Sequence, residues 1–110
     1  MTDWLMQQLE AKCRENYGKW PDSPYGQSAL ESDERAARHN GARITDIVRL
    51  CEGVSYEAGS PIYRRYRRGL EAAVAAGKAA AWRPGASAYV FYWPIGLSAA
   101  LRHEAGQANG

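Results

Sequence analysis

Apolar positions along this chain recur with two spacings, and the change comes near residue 78. Up to that point they return every three or four residues, which gathers them on one side of an α-helix. From Lys78 to Trp93 they form short runs compatible with extended strands. The first helix is predicted over Asp3 to Tyr17, with Thr2 as N-cap and Gly18 as stop. Its apolar stripe is Leu5, Leu9 and Cys13, widened by Trp4 and Met6, and the opposite face carries Gln7, Glu10, Lys12 and Arg14. So narrow a stripe predicts a helix lying on the domain surface or against a second copy. Residues 18–27 hold two prolines and two glycines and predict an irregular connection, with Trp20 and Tyr25 pinning it to the core. Ser28 and Glu31 have capping-box spacing, which starts a second helix that runs to His39 and stops at Asn40-Gly41.

Ala42-Arg43-Ile44 reads as a short extended piece. Thr45 then caps a brief helix, Asp46 to Glu52, with Ile47, Val48 and Cys51 on one face and Gly53 as its stop. After a loop from Val54 to Gly59, Ser60-Pro61 is a strong helix start, a side-chain cap followed by proline at the first helical position. At about 100° per residue, the helix over 61–76 gathers Ile62, Tyr63, Tyr66, Leu70, Ala73 and Val74 on one side. Arg64, Arg65, Arg67 and Arg68 fall on the rest of its circumference, with Glu71 as their one nearby carboxylate. Gly77 ends this helix. Lys78 to Arg83 and Ala88 to Trp93 then predict an antiparallel hairpin around Pro84-Gly85-Ala86-Ser87, with the Ile44 segment as a third strand. The alanines from Ala72 to Ala81 suit close packing at the helix-to-strand corner. A last short helix is expected over Gly96 to Glu104, before a frayed GQANG tail.

Composition changes this picture little, and charge changes it more. A chain of 110 residues makes about one domain. It divides into residues 1–27 (first helix and connection), 28–93 (core) and 94–110 (last helix and tail). With 45% hydrophobic residues it is too rich in apolar side chains to stay disordered. There is no run of about 18 apolar residues, and the start has neither the basic nor the apolar part of a secretory leader, so a cytoplasmic protein without membrane contact is expected. Residues 1–60 carry seven Lys/Arg against ten Asp/Glu, whereas residues 61–84 carry six against one. The small net charge of +2 therefore conceals a basic segment suited to polyanions. Cys13 and Cys51 lack metal-ligand spacing to each other or to His39 and His103, and reduced thiols are expected. The glycines stand singly, so no phosphate-cradling loop is present. The expectation is a protein that is not an enzyme and has no cofactor and no metal.

The order of short helix, connection and longer helix is a helix-turn-helix arrangement. The stretch from Arg43 to Trp93 resembles the winged helix-turn-helix superfamily of DNA-binding domains. ITDIVRLCEG stands in the place of the supporting helix, PIYRRYRRGLEAAVAAGK in that of the recognition helix, and WRPGAS at the wing tip. Two features depart from the pattern: the connection EGVSYEAGSP is longer than the usual tight turn, and the wing offers only Lys78 and Arg83 as basic contacts. The resemblance implies an α+β winged fold with extra terminal helices, and a small phage, plasmid or bacterial transcriptional regulator. It implies that double-stranded DNA is bound by Tyr63, Arg64, Arg65, Arg67, Arg68, Lys78 and Arg83. Guanidinium groups bind phosphate bidentately and read guanine edges. On position, Arg64, Arg65 and Arg68 suit a groove and Arg67 suits phosphate. Tyr66, Trp82 and Tyr92 read as packing aromatics. Half-site reading leads to the expectation of a homodimer through the terminal helices. The alternative is a protein-binding module or inhibitor that presents the same basic helix to an acidic partner.

Overall fold

The computed structural model describes residues 2–19, 28–86 and 89–108, and over these the chain is α+β, with five α-helices and a two-stranded antiparallel hairpin. Helix α1 (Thr2–Gly18) agrees with its prediction in extent but not in placement. Leu5, Leu9 and Cys13 are at most 1% exposed, because α3, α4 and the second strand all close on this stripe. The face expected at the domain surface or against a second copy is therefore the centre of the chain's own core. A narrow stripe suffices because three neighbours supply the remaining walls. Asn16 fastens the end of α1 by donating from Nδ2 to the carbonyls of Asn40 (3.2 Å) and Gly41 (3.3 Å).

The second helix starts later than its capping-box spacing predicts. Ser28–Leu30 is a single 3-10 turn, and α2 runs from Asp33 to Asn40 with Ser32 as its N-cap, accepting from the Arg35 amide at 3.1 Å. The reason lies far along the chain. The Asp33 carboxylate accepts from the amides of Gly96 (2.9 Å) and Ser98 (3.2 Å), so one side chain at the start of α2 also caps the start of α5 (Leu97–Ala108). Both helix N-termini gain from the nearby negative charge. The last helix begins where expected and runs beyond the expected Glu104, with Arg14 of α1 gripping Glu104 at 2.9 Å. Residues 106–108 of the tail expected to fray are helical.

Gly41 turns the chain from α2 into Ala42, which exchanges two backbone hydrogen bonds with Tyr92 (2.9 and 2.8 Å). Of the extended piece Ala42-Arg43-Ile44 expected as a third strand, Ala42 alone pairs with the hairpin, because Ile44 already begins a helix. Helix α3 (Ile44–Glu52) is capped at Arg43 rather than Thr45, because the Asp46 carboxylate reaches back to the Arg43 amide at 3.0 Å. Gly53, at φ 79°, ends it as predicted. Helix α4 (Pro61–Ala75) starts as read, with Ser60 accepting from the Tyr63 amide at 3.2 Å, and Gly77 at φ 74° turns the chain out of it.

Strands β1 (Ala79–Trp82) and β2 (Phe91–Pro94) pair antiparallel, Ala79 opposite Pro94 and Trp82 opposite Phe91. They are shorter than the predicted runs, since Arg83, Tyr89 and Val90 lie outside the strands, and Gly85 and Ala86 are in a turn. Ser87 and Ala88 lie outside the described residues, as do Trp20 and Tyr25. Ala42 pairs with β2 on the side away from β1. The alanines of β1 and of α2 (Ala36 and Ala37, both 0% exposed) let this helix lie close on the hairpin. A Cβ at Gly41 would strike the Ala37 carbonyl oxygen and come within 3.0 Å of the Phe91 Cβ. One cluster of buried side chains extends from Leu5 to Leu101.

Truncating Leu9 to Ala should cost about 2–5 kcal/mol in urea unfolding, and the loss should be the same at low and high protein concentration, since Leu9 is buried within one chain. Asp33→Ala should cost about 1–2 kcal/mol, the range of a lost N-cap, with increased amide exchange in the first turn of α5.

Candidate nucleic-acid interface

Helix α4 is held by Tyr66, Leu70 and Ala73, all at most 4% exposed, with Ile62, Tyr63 and Val74 half-buried beside them. That attachment sets the roll of the helix, so Arg64, Arg65, Arg67 and Arg68 are all exposed, as their spacing requires. Among the described residues, Arg64, Arg65 and Arg68 have no carboxylate within 4.0 Å, and Arg67 has only Glu71 at 3.9 Å. Four exposed guanidinium groups within five residues, so weakly neutralised, make a local positive potential.

Tyr66 explains how the base of this helix is anchored. Its ring is buried, tilted against Trp4 with centroids 6.4 Å apart, and its hydroxyl donates to Glu52 Oε1 at 2.9 Å. Glu52 is the last residue of α3, so this bond joins the two helices across the eight-residue connection. Burial, and then the hydrogen bond to the Glu52 carboxylate, push the phenol well above its ordinary range. Burial likewise raises the Cys51 thiol beside it. In the core, Cys13 lies against the Tyr92 carbonyl at 3.3 Å and is pushed up to about 12, chiefly by burial. Burial of this kind disfavours the thiolate, the form that acts as nucleophile or metal ligand.

Between α4 and the hairpin lies a cleft of about 550 Å³. Tyr63, Arg67 and Glu71 of α4 form one wall, Arg83 and Tyr89 of the hairpin connection face them, and Arg43 and Thr45 close one end at the start of α3. The Arg43 guanidinium lies 5.4 Å from the centre of the Tyr89 ring and 3.5 Å from Asp46. Tyr92 forms part of the floor; burial raises its phenol first, Glu71 and Tyr63 add to this, and Arg83 and Arg67 oppose it. These four residues line the same cleft as Tyr92.

The predicted residues thus divide. Tyr63, Arg67 and Arg83 come together in the cleft, while Arg64, Arg65 and Arg68 line the outer surface of α4. Lys78 stands at the opposite end of β1 from Arg83, outside the cleft. Tyr66 and Tyr92 are packing residues as read, and half-buried Trp82 packs on Phe91 with Arg38 over its ring at 5.6 Å. Sequence reasoning missed Arg43, Thr45 and Tyr89. Arg43 lies 24 positions from Arg67, and no local periodicity links them. Proximity of the short extended piece to the aromatic strand was the available signal, and it was legible only as pairing. No family model, curated protein or solved structure matches the chain. Among the described residues, no helix is long and apolar enough to cross a membrane.

A phenol raised in the folded state favours the protonated form, so its stabilising contribution is present below the unfolded value of 10.0 and is lost as pH rises above it. Unfolding free energy should therefore fall above about pH 10. Tyr66→Phe should flatten part of that fall, and urea titrations of both proteins between pH 8 and 11 measure the difference.

Proposed function

We propose that this chain is a small double-stranded-DNA-binding regulator of winged-helix type, with α4 entering the major groove and the hairpin resting on the adjacent backbone. The order α2, Ala42, α3, α4, β1, β2 supports this reading, as does the position of Ala42 beside β2 with β1 on the other side. The observation that carries it is the arginine face: Arg64, Arg65 and Arg68 stand exposed, with no carboxylate within 4.0 Å among the described residues, on a helix whose opposite face is locked into the core. Arginine in place of lysine favours bidentate contact with guanine edges and phosphates, so these three are assigned to the groove and Arg67 to the backbone. Arg83 adds a phosphate contact from the hairpin; Lys78 at the far end of β1 contributes less. Reading of two half-sites calls for a homodimer. Its contact must avoid the Leu5, Leu9 and Cys13 stripe, which is occupied within the chain.

Binding of labelled duplex across a salt series tests the proposal. Contact with about four to six phosphates predicts a log–log slope of roughly −4 to −5, and replacing Arg64 and Arg68 by Ala should weaken affinity and make the slope shallower. Absence of binding at low salt would overturn it. Capture of an acidic protein that survives nuclease treatment, together with no duplex binding, would reassign the arginine face to a protein partner.

A further inference from the structure

The cleft between α4 and the hairpin has features that contact with a duplex does not require. It measures about 550 Å³ and adjoins a groove of about 310 Å³ that shares Glu71, Arg83, Val90 and Tyr92. Each volume falls in the range of small-ligand sites, about 300–1,000 Å³. Its lining combines aromatic and aliphatic walls with a few converging polar groups, the pattern of a site that orients a small molecule. The cations are unequal. Arg43 is engaged with Asp46 at 3.5 Å and Arg67 with Glu71 at 3.9 Å, whereas Arg83 has no carboxylate within 4.0 Å among the described residues. Three guanidinium groups against two carboxylates leave the cleft with a positive excess centred on Arg83.

We propose that this cleft binds a free nucleoside monophosphate, with the phosphate on Arg83 and Arg67 and the base against the tyrosine rings. Guanidinium supplies the bidentate geometry a phosphate takes. Tyr63 and Tyr89 both line the space, and Arg43 lies over the Tyr89 ring at 5.4 Å from its centre. Glu71 and Thr45 offer an acceptor and a hydroxyl for the ribose and base. Arg67 and Tyr63 belong both to this cleft and to the proposed DNA face, so a bound nucleotide competes with duplex for them. This consequence rests on the DNA-binding reading; the pocket itself does not.

Isothermal titration of the full chain with AMP, GMP, CMP and UMP, and in parallel with adenosine and inorganic phosphate, tests the assignment. At least one monophosphate should bind more tightly than both adenosine and phosphate. Arg83→Ala should weaken it roughly tenfold or more, the loss of a charge-assisted contact. Tyr89→Ala, at an exposed position, should weaken the monophosphate and leave inorganic phosphate unchanged. Lys78→Ala, outside the cleft, should have no effect. No monophosphate binding at millimolar concentration overturns the inference, as does binding no tighter than phosphate alone or indifferent to Arg83→Ala. Duplex binding measured on the same samples separates the two proposals. Duplex bound without nucleotide removes this inference alone, and nucleotide bound through Arg83 without duplex removes the DNA reading alone.

Discussion

Helix α1 approaches α4 so closely that a Cβ at Gly69 would stand 2.5 Å from Leu5 Cδ2, and much of the molecule is arranged around that contact. Glycine in a helix interior costs about 1 kcal/mol relative to alanine. Here its missing side chain gives Leu5 room beside α4, where Leu9 and Cys13 continue the same buried row. With α1 pressed on one flank of α4 and the hairpin on the other, only one roll of α4 buries Tyr66, Leu70 and Ala73. That roll turns the arginines outward. The exposed positive face is thus a consequence of how the core closes, as much as of where the arginines fall in the chain.

The hairpin is positioned by equally local means. Alanines on β1 and α2 and the glycine at residue 41 allow helix and strands to lie close, and Ala42 joins the sheet with two hydrogen bonds from a single residue. Because Ala42 is followed at once by Arg43 and α3, the same bridge brings Arg43 and Thr45 to the mouth of the cleft. Electrostatics and packing meet at this point: the cleft's cations arrive from α3, α4 and the hairpin connection, and each is delivered by backbone pairing or helix anchoring that serves the core. Asp33 plays a comparable part at the other end, joining the starts of α2 and α5 so that the terminal helix is tied to the central unit.

Elements with strong local chemistry were legible in the residues. Ser60-Pro61 marks the start of α4, Gly53 and Gly77 mark two helix ends at positive φ, and the aromatic run Phe91-Tyr92-Trp93 marks a strand. The division of α4 into a buried and an arginine face followed from its periodicity alone, since side-chain direction on a helix depends only on spacing. The capping readings fared less well. Ser28 and Ser32 both precede plausible helices, and Thr45 competes with Arg43. The choice in each pair was made by a carboxylate: Asp33 is drawn to α5, 63 residues away, and Asp46 folds back on Arg43.

By itself the sequence determined the number and order of helices, the hairpin and the charge segregation, because each arises from contacts between residues near one another in the chain. Only the tertiary structure decided that the narrow stripe of α1 lies at the centre of the core, since its burial is supplied by α3, α4 and β2. Only the tertiary structure assembled the cleft, whose groups come from residues 43–45, 58, 63–71, 83 and 89–92. Convergence of that kind depends on the angle at which elements pack, and no spacing within a single element records it.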